Sequence, residues 1–437
     1  MTASALGGHA TYEAYLYSYP HKTSYRPLSP AVELGPLWAS EKRDALSLYL
    51  HVPFCESRCG YCNLFSVPRP KPELVGSYLE ALARQARQVR AALGRASFAR
   101  FALGGGTPTF LEPRALGGLL DLAERTMGTE LAKIPSSVEV SPATADRDRL
   151  TLLRGRGIGR ISIGVQSFVE SEVAAVHRSQ AAGEARRAIA LIRELGFPIL
   201  NVDLIYGLPG QDGASWRSSL EEALRFAPEE IYLYPLYVRP MTGLGRSSGK
   251  WDDVRVQLYR VGRDHLLARG YRQVSMRMFR LASKAEPAGP VYHCQEDGMV
   301  GLGTGARSYT SALHYSTPYA LAGGRVRGIV ESFAASTDAQ LATARYGIWL
   351  DGEDQRRRFV ILSLLADGLD LVEYRRRFSS DARADLQQLG ELVEASLAGL
   401  QGDRLVLSAE GIERSDAIGP WLRSRKVADL MAAWEPG

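Results

Sequence analysis

Leu48-Tyr-Leu-His-Val-Pro-Phe-Cys-Glu-Ser-Arg-Cys-Gly-Tyr-Cys62 joins an apolar, strand-like run to three cysteines, Cys55, Cys59 and Cys62. The C-x3-C-x2-C spacing lets one loop wrap a cubane cluster and present three thiolates to three of its four irons, thiolate being the usual protein ligand of such clusters. The fourth iron is left without a cysteine, and an open position on a redox cluster means chemistry rather than storage. A disulfide framework does not suit a chain with four cysteines in 437 residues and nothing that looks secreted. A zinc site needs a fourth nearby ligand; His51 is available, but structural zinc usually takes paired C-x2-C knuckles.

Outward from this strand the pattern repeats. Apolar, β-rich runs recur at 46–54, 98–103, 136–141, 160–165, 198–206 and 230–238, with amphipathic stretches at 71–93, 113–127, 146–154, 168–195 and 213–225 between them. Such alternation predicts βα units on a parallel sheet. Six repeats suit an open barrel as well as a doubly wound sheet. In parallel barrels functional residues gather at the C-terminal ends of strands, and the chemistry-bearing residues fall there: the cysteines after the first run, Gly104-Gly-Gly-Thr-Pro108 after the second, Glu139 and Ser141 at the end of the third. Gln166 ends the fourth, Asp203 lies within the fifth and Tyr237 closes the sixth. The fold expected is α/β, a partial (β/α)6 TIM-like barrel.

Residues 1–45 carry tyrosines at 12, 15, 17, 19 and 25 and prolines at 20, 27, 30 and 36, too aromatic a mix for a disordered tail. They predict an arm packed on the body, as a strap or across a site mouth. Residues 46–330 form the barrel and its extension. From about 355 the pattern turns helical (357–366, 382–400, then 403–408 and 411–422), predicting a small helical or winged-helix module over 355–437, placed as a lid.

An apolar fraction of 45% and a charged fraction of 23% are those of an ordinary globular protein, and the length allows more than one domain. Charges interrupt every apolar run, so no membrane span is expected, and the first residues lack the features of a signal peptide; the expectation is cytoplasmic. The net charge of +5 arises from 53 basic and 48 acidic residues. Arginines in 84–95 and 356–358 read as solvated helix faces rather than a nucleic-acid footprint, and the excess suits an acidic electron donor or an anionic substrate.

Tyr49-Leu-His-Val-Pro-Phe-Cys55, Cys59-Gly-Tyr-Cys62, Gly104-Gly-Gly-Thr-Pro-Thr109 and Glu139-Val-Ser-Pro142 stand in order along the chain. Arg160-Ile-Ser-Ile-Gly-Val-Gln-Ser-Phe168, His177-Arg178 and Asn201-Val-Asp-Leu-Ile-Tyr-Gly-Leu-Pro209 continue the series. As a set these motifs resemble the radical S-adenosylmethionine (SAM) superfamily, and within it the branch typified by oxygen-independent coproporphyrinogen dehydrogenase (HemN-like), over residues about 46 to 310. The resemblance implies a [4Fe–4S] cluster on Cys55, Cys59 and Cys62, one or two SAM molecules, a flavodoxin- or ferredoxin-type electron donor and a small-molecule substrate. One electron from the cluster would cleave SAM to methionine and a 5′-deoxyadenosyl radical. It further implies SAM contacts at Tyr49, Gly104, Gly105, Gly106, Thr107, Glu139, Ser141, Gln166, Arg178, Asp203 and Tyr237, with Tyr61 against the adenine or merely shielding the cluster. Glycines there let backbone approach a ligand. Gln166 suits ribose and Arg178 a carboxylate. For Glu139 and Asp203, carboxylates in apolar strands that need partners, the alternatives are ribose or ammonium groups and structural pairing with Arg160 or Arg178.

The pattern departs from the family's decarboxylating members at Leu64, where they carry a further cysteine, and from its haem chaperones at Tyr292-His293-Cys294, which lacks their tryptophan. Tyr17-Ser-Tyr-Pro20 resembles the dehydrogenase branch. The leading expectation is methyl or methylene transfer, cyclopropanation included, from a second SAM. Its rivals are oxidative decarboxylation of a porphyrinogen propionate and a haem-binding chaperone. Cys294 reads as a small buried hydrophobe or a hydrogen-atom-exchanging thiol, His51 and His293 as supporting or acid–base groups, and Met276 and Met278 as core.

Overall fold

The computed structural model describes residues 6, 9–16, 18–178, 180–181, 183–238, 242–246, 254–283 and 293–435; the expectations for Tyr17 and Tyr292 lie outside them. Thirteen strands form one sheet: β1 (Arg26–Glu33), β2 (Leu46–Val52), β3 (Phe98–Gly105), β4 (Ser136–Val140), β5 (Arg160–Gln166), β6 (Ile199–Tyr206), β7 (Glu230–Pro235), β8 (Tyr271–Gln273), β9 (Met278–Leu281), β10 (Met299–Leu302), β11 (Arg307–Tyr309), β12 (Leu313–Ser316) and β13 (Thr343–Trp349). Their order is β1-β13-β12-β11-β10-β2-β3-β4-β5-β6-β7-β9-β8. The six strands β2 to β7 are mutually parallel and neighbour one another in chain order, the (β/α)6 partial barrel expected from the alternation.

The described residues of 240–330, a stretch with no clear period, extend this sheet at both edges. The β8–β9 hairpin adds antiparallel to β7, and β10 adds parallel to β2 before the chain returns through β11, β12 and β13. These strands are three to seven residues long, and a window that short cannot establish a period.

The barrel strands bury Leu46, Leu48, Leu50 and Val52 of β2 and Ile161, Ile163 and Val165 of β5 against the outer helices. Alternate residues on these strands are less buried and face inward: Tyr49, Glu139, Asp203, Tyr232 and Tyr234. A second core gathers Leu6, Leu16, Tyr19 and Tyr25 with the helix Gly352–Leu364 and a three-stranded sheet of β14 (Leu369–Asp370), β15 (Ala398–Gln401) and β16 (Arg404–Leu407). The arm thus reaches both bodies: Tyr12 packs edge-on to Tyr206 at 6.2 Å and Tyr15 edge-on to Tyr234 at 6.3 Å, while the Tyr19 hydroxyl donates to Asp354 at 2.9 Å.

Three local expectations are corrected. The stretch 168–195 is two helices, Glu170–Ala175 and Glu184–Glu194; the chain turns between them, with His177 at φ 51°, because Gly60 of the cysteine loop docks on Val176 there. The stretch 382–400 breaks into Ala382–Asp385, Gln388–Glu394 and β15, Ser396 turning at φ 58°. Arg358 is not on a solvated face: it is 2% exposed, held by Glu296 at 3.1 Å and by the carbonyls of Thr310 and Ser311. Among the described residues no helix is long and apolar enough to cross a membrane.

Candidate functional site

Register places the cysteine loop against the glycine run. Val52 pairs with Gly105 at the ends of β2 and β3, so the chain leaving β2 runs directly over Gly106 and Thr107. The Gly106 amide donates to the Val52 carbonyl and the Thr107 amide to that of Phe54, each at 2.8 Å. A Cβ on Gly106 would stand 2.5 Å from the Phe54 oxygen and 2.7 Å from the Cys55 sulfur. Gly105 has φ 124°, and a Cβ there would meet the Val52 oxygen at 2.7 Å. Only glycine lets the strand end lie this close to the thiol.

All three loop cysteines are free and partly exposed, and two residues anticipated for the site donate to their sulfurs. The Thr107 hydroxyl donates to the Cys55 sulfur and the Arg178 guanidinium to the Cys59 sulfur, both at 3.6 Å. Burial pushes the Cys55 thiol up and the Cys62 thiol to about 11, and binding of a metal to such thiols would release their protons. Tyr61 packs against the small apolar cluster of Val176, Leu208 and Leu244, with its hydroxyl accepting from Arg178 at 3.3 Å.

Glu139 and Asp203 face the barrel interior from β4 and β6, on either side of β5. The residue opposite Asp203 on β5 is Gly164, which has no side chain to compete with that carboxylate. Glu139 is reachable by solvent yet surrounded by protein. Enclosure raises its pKa to about 7, the amide of Gly105 donating to it at 3.2 Å and pulling the other way, and Asp203 adding repulsion. Burial lifts Asp203 to about 6 against the opposing hydrogen bonds of Asn201 at 2.7 Å and Ser162 at 3.2 Å. Neither carboxylate takes the guanidinium considered for it. Arg160 pairs with Glu230 at 2.8 Å and reaches the two only at longer range, while Arg178 turns to the cysteine loop.

A register shift between Gly164 and Gln166 marks a bulge at the end of β5, and Gln166 adopts φ 71°, a conformation that L-residues rarely hold without constraint. The bulge re-aims the side chain: the Gln166 amide lies over Gly164, 2.7 Å from where its Cβ would be. Tyr49 faces the same interior and its hydroxyl meets His51 Nδ1 at 3.0 Å. His51 Nε2 lies 3.1 Å from the Phe65 carbonyl, and burial lowers its pKa to about 4.

Two anticipated residues sit elsewhere. Ser141 is bound to Thr144 at 2.9 Å, in a hydroxyl chain that continues to Thr109 at 2.6 Å. Tyr237 joins Arg277 and Asp416, the buried pair that ties the barrel to the C-terminal module at 2.6 Å. Cys294 is half-buried, and burial raises its pKa against the opposing positive charges of Arg307 and Arg100. Met276 is core at 1% exposure; Met278 is half-buried. Sequence reasoning passed over Asn201, 1% exposed, which orients Asp203 and donates to Ser162 at 2.7 Å. The signal was present in the Asn201-x-Asp203 spacing, since alternate residues of a strand share a face.

This arrangement brings three free thiols, a glycine-lined strand end, two raised carboxyls and a primary amide to one end of a parallel barrel. The Radical SAM superfamily matches residues 49–223 and the HemN C-terminal domain residues 350–413. The oxygen-independent coproporphyrinogen III oxidase of Pseudomonas aeruginosa is 28% identical over 432 residues, covering 92% of this chain and 88% of that protein. The heme chaperone HemW of Escherichia coli is 32% identical over 275 residues, covering 61% of this chain and 70% of its own. Among solved structures, the coproporphyrinogen III oxidase (HemN) of Escherichia coli has the same fold, with a TM-score of 0.77 at 23% identity over 93% of this chain and 96% of that one.

Proposed function

From the premise that this chain belongs to the HemN-like branch of the radical SAM superfamily, whose cofactors are a [4Fe–4S] cluster and SAM, we propose a radical SAM enzyme that oxidises a small-molecule substrate. Cys55, Cys59 and Cys62 would hold the cluster. The donor set fits: three free thiols on one loop, with Thr107 and Arg178 donating to those of Cys55 and Cys59, and a glycine at 106 where any side chain would strike a ligand sulfur. When bound, the cluster supplies the electron that breaks the sulfonium bond of SAM.

The chain's own residues bind and orient. Glu139 and Asp203, lacking a guanidinium, are acceptors for an ammonium group or for ribose hydroxyls, and Gln166 lies between them across β5. Gly104 keeps the strand end free of a side chain, since a Cβ there would stand 2.8 Å from the Glu139 carboxylate. Tyr49, with its hydroxyl beside His51, completes the inner wall, and Thr107 steadies Cys55. A flavodoxin- or ferredoxin-type donor would supply electrons, and the net charge of +5 favours an acidic one. The observation that carries the reading is the packing of Gly106 on Cys55.

The oxidase-named relatives align over nearly the whole chain, which supports oxidation ahead of the methyl or methylene transfer expected from the sequence. Transfer keeps one observation in its favour: Leu64, 48% exposed beside the cysteine loop, stands where decarboxylating members carry cysteine. Anaerobic turnover with SAM, a low-potential reductant and candidate substrates or cell extract separates the two. Substrate-dependent 5′-deoxyadenosine without S-adenosylhomocysteine supports oxidation; both products together would move the assignment to one-carbon transfer. A haem chaperone would instead show a Soret band on haem addition and little SAM turnover.

A further inference from the structure

Below Tyr49 the inner wall of the barrel turns basic. Phe101 and Leu103 of β3 are buried in the outer core, so Arg100, Ala102 and Gly104 share the inner face. Ala102 pairs with Tyr49 and Arg100 with Ser47, which in turn pairs with Met299 of β10. Arg100 thus stands one inward position beneath Tyr49. It is exposed to solvent, and among the described residues no carboxylate is paired with it. The turn that leads into β10 brings Cys294 and Gln295 to the same corner. Burial raises the Cys294 thiol, the charges of Arg307 and Arg100 oppose it, and Asp297 adds to the rise, so both guanidiniums lie within reach of this side chain. Asp297 itself accepts from the His293 amide at 2.6 Å. Burial lowers His51, and the charges of Lys22 and Arg307 act in the same direction, which carries the positive potential up the wall.

The arm holds this corner in place. Arg307 Nη1 donates to the Ser18 hydroxyl at 2.8 Å, and the Tyr19 amide donates to Gln295 Oε1 at 3.1 Å. Gln295 is 3% exposed, and its Nε2 is buried without a hydrogen-bond partner among the described residues, a costly state for an amide. We infer that this corner is a subsite for a carboxylate carried by a ligand in the barrel, with Arg100 and Arg307 as its cations and Gln295 as a neutral donor. A guanidinium fork matches a carboxylate in shape as well as charge, and a carboxylate oxygen is the acceptor that Nε2 lacks. The inference rests on the proposed function only in taking the barrel interior as the ligand chamber. Substrate and SAM can each present this group.

Cys294 makes the subsite readable without turnover. Cluster-loaded protein is alkylated with iodoacetate or iodoacetamide, and the label at Cys294 is followed by peptide mass. The ratio of the two rates, divided by that on the urea-unfolded chain, cancels the thiolate fraction and isolates attraction for a carboxylate. Expected are a ratio of about tenfold in wild type that shrinks with salt, a ratio near that of the unfolded chain in R100M and R307M, a reversed preference in R100E, and no change in R125M. R100M, at an exposed position, leaves intact the arm contact that R307M breaks. Protection by glutarate and not by SAM assigns the carboxylate to the substrate; protection by SAM assigns it to SAM. A wild-type ratio equal to that of the unfolded chain, or one unmoved by R100E, overturns the inference. Should Cys294 resist both reagents, calorimetry with glutarate decides: binding by wild type and not by R100E supports the subsite, and no binding by wild type overturns it. Protein that loads no cluster yet keeps the ratio removes the radical SAM reading and leaves this subsite standing.

Discussion

Replacing Gly106 by alanine tests the packing on which the site depends. Gly106 lies outside the left-handed region, so the substitution adds a methyl group and nothing else. That methyl would stand 2.7 Å from the Cys55 sulfur and 2.5 Å from the Phe54 carbonyl oxygen. Ordinary contact begins at about 3.5 Å, so one or both atoms must retreat by roughly 0.8 to 1 Å. The Phe54 carbonyl is held by the Thr107 amide and cannot move alone; the thiol can. Overpacking of this kind costs about 1–3 kcal/mol, which a chain with two large cores survives, but a ligand constellation tolerates only about 0.5 Å. G106A is therefore expected to fold with wild-type circular dichroism and to retain far less iron and sulfide after anaerobic reconstitution. G118A, in the helix Pro113–Asp121 with nothing near its Cβ, should load as wild type. Full cluster content in G106A would refute the argument that glycine is needed for contact with Cys55.

Three further outcomes follow from the buried charges. Glu139 and Asp203 titrate at about 7 and about 6, and a cationic ligand prefers them ionised, so SAM affinity by calorimetry should rise as pH climbs through both values, and E139Q should flatten the dependence. R277M leaves Asp416 charged and buried, a loss of about 3–5 kcal/mol that denaturant titration would read, with R277M/D416L recovering most of it; equal stability of R277M and wild type would show the pair to be dispensable. His51, 5% exposed, has its pKa lowered from 6.5 to about 4. The unfolded chain therefore binds the extra proton first, and about 3 kcal/mol of stability present above pH 6.5 is lost as pH falls to about 4. H51Q should remove that slope in acid titrations followed by intrinsic fluorescence.

The parallel barrel was legible because β2 to β7 are long enough to show their runs, and because most of the residues that carry chemistry fall at strand ends. The edges were not. β8 to β12 are short, and Arg358 reads as polar in any sequence pattern although Glu296 and two carbonyls bury it. At the site, cysteine spacing and the glycine run could be read directly, since covalent spacing along one loop survives folding. The partners of Glu139, Asp203 and Arg178 could not be, because guanidinium choice is made in three dimensions: Arg160 finds Glu230, seventy residues on, on β7. The bulge that turns Gln166 leaves no sequence mark. Tyr237 shows the converse limit, a strand-end residue whose hydroxyl belongs to the contact with Asp416.

The most direct test of the central claim measures cofactor and product in one preparation. Anaerobically reconstituted protein is assayed for iron and sulfide, then mixed with SAM and dithionite, and 5′-deoxyadenosine is quantified by mass spectrometry beside the C55S, C59S and C62S variants. The account predicts one cubane per wild-type chain, 5′-deoxyadenosine from wild type, and none from any of the three soluble variants. Wild-type protein with an intact cluster and no 5′-deoxyadenosine, or undiminished product from a cysteine variant, would contradict it.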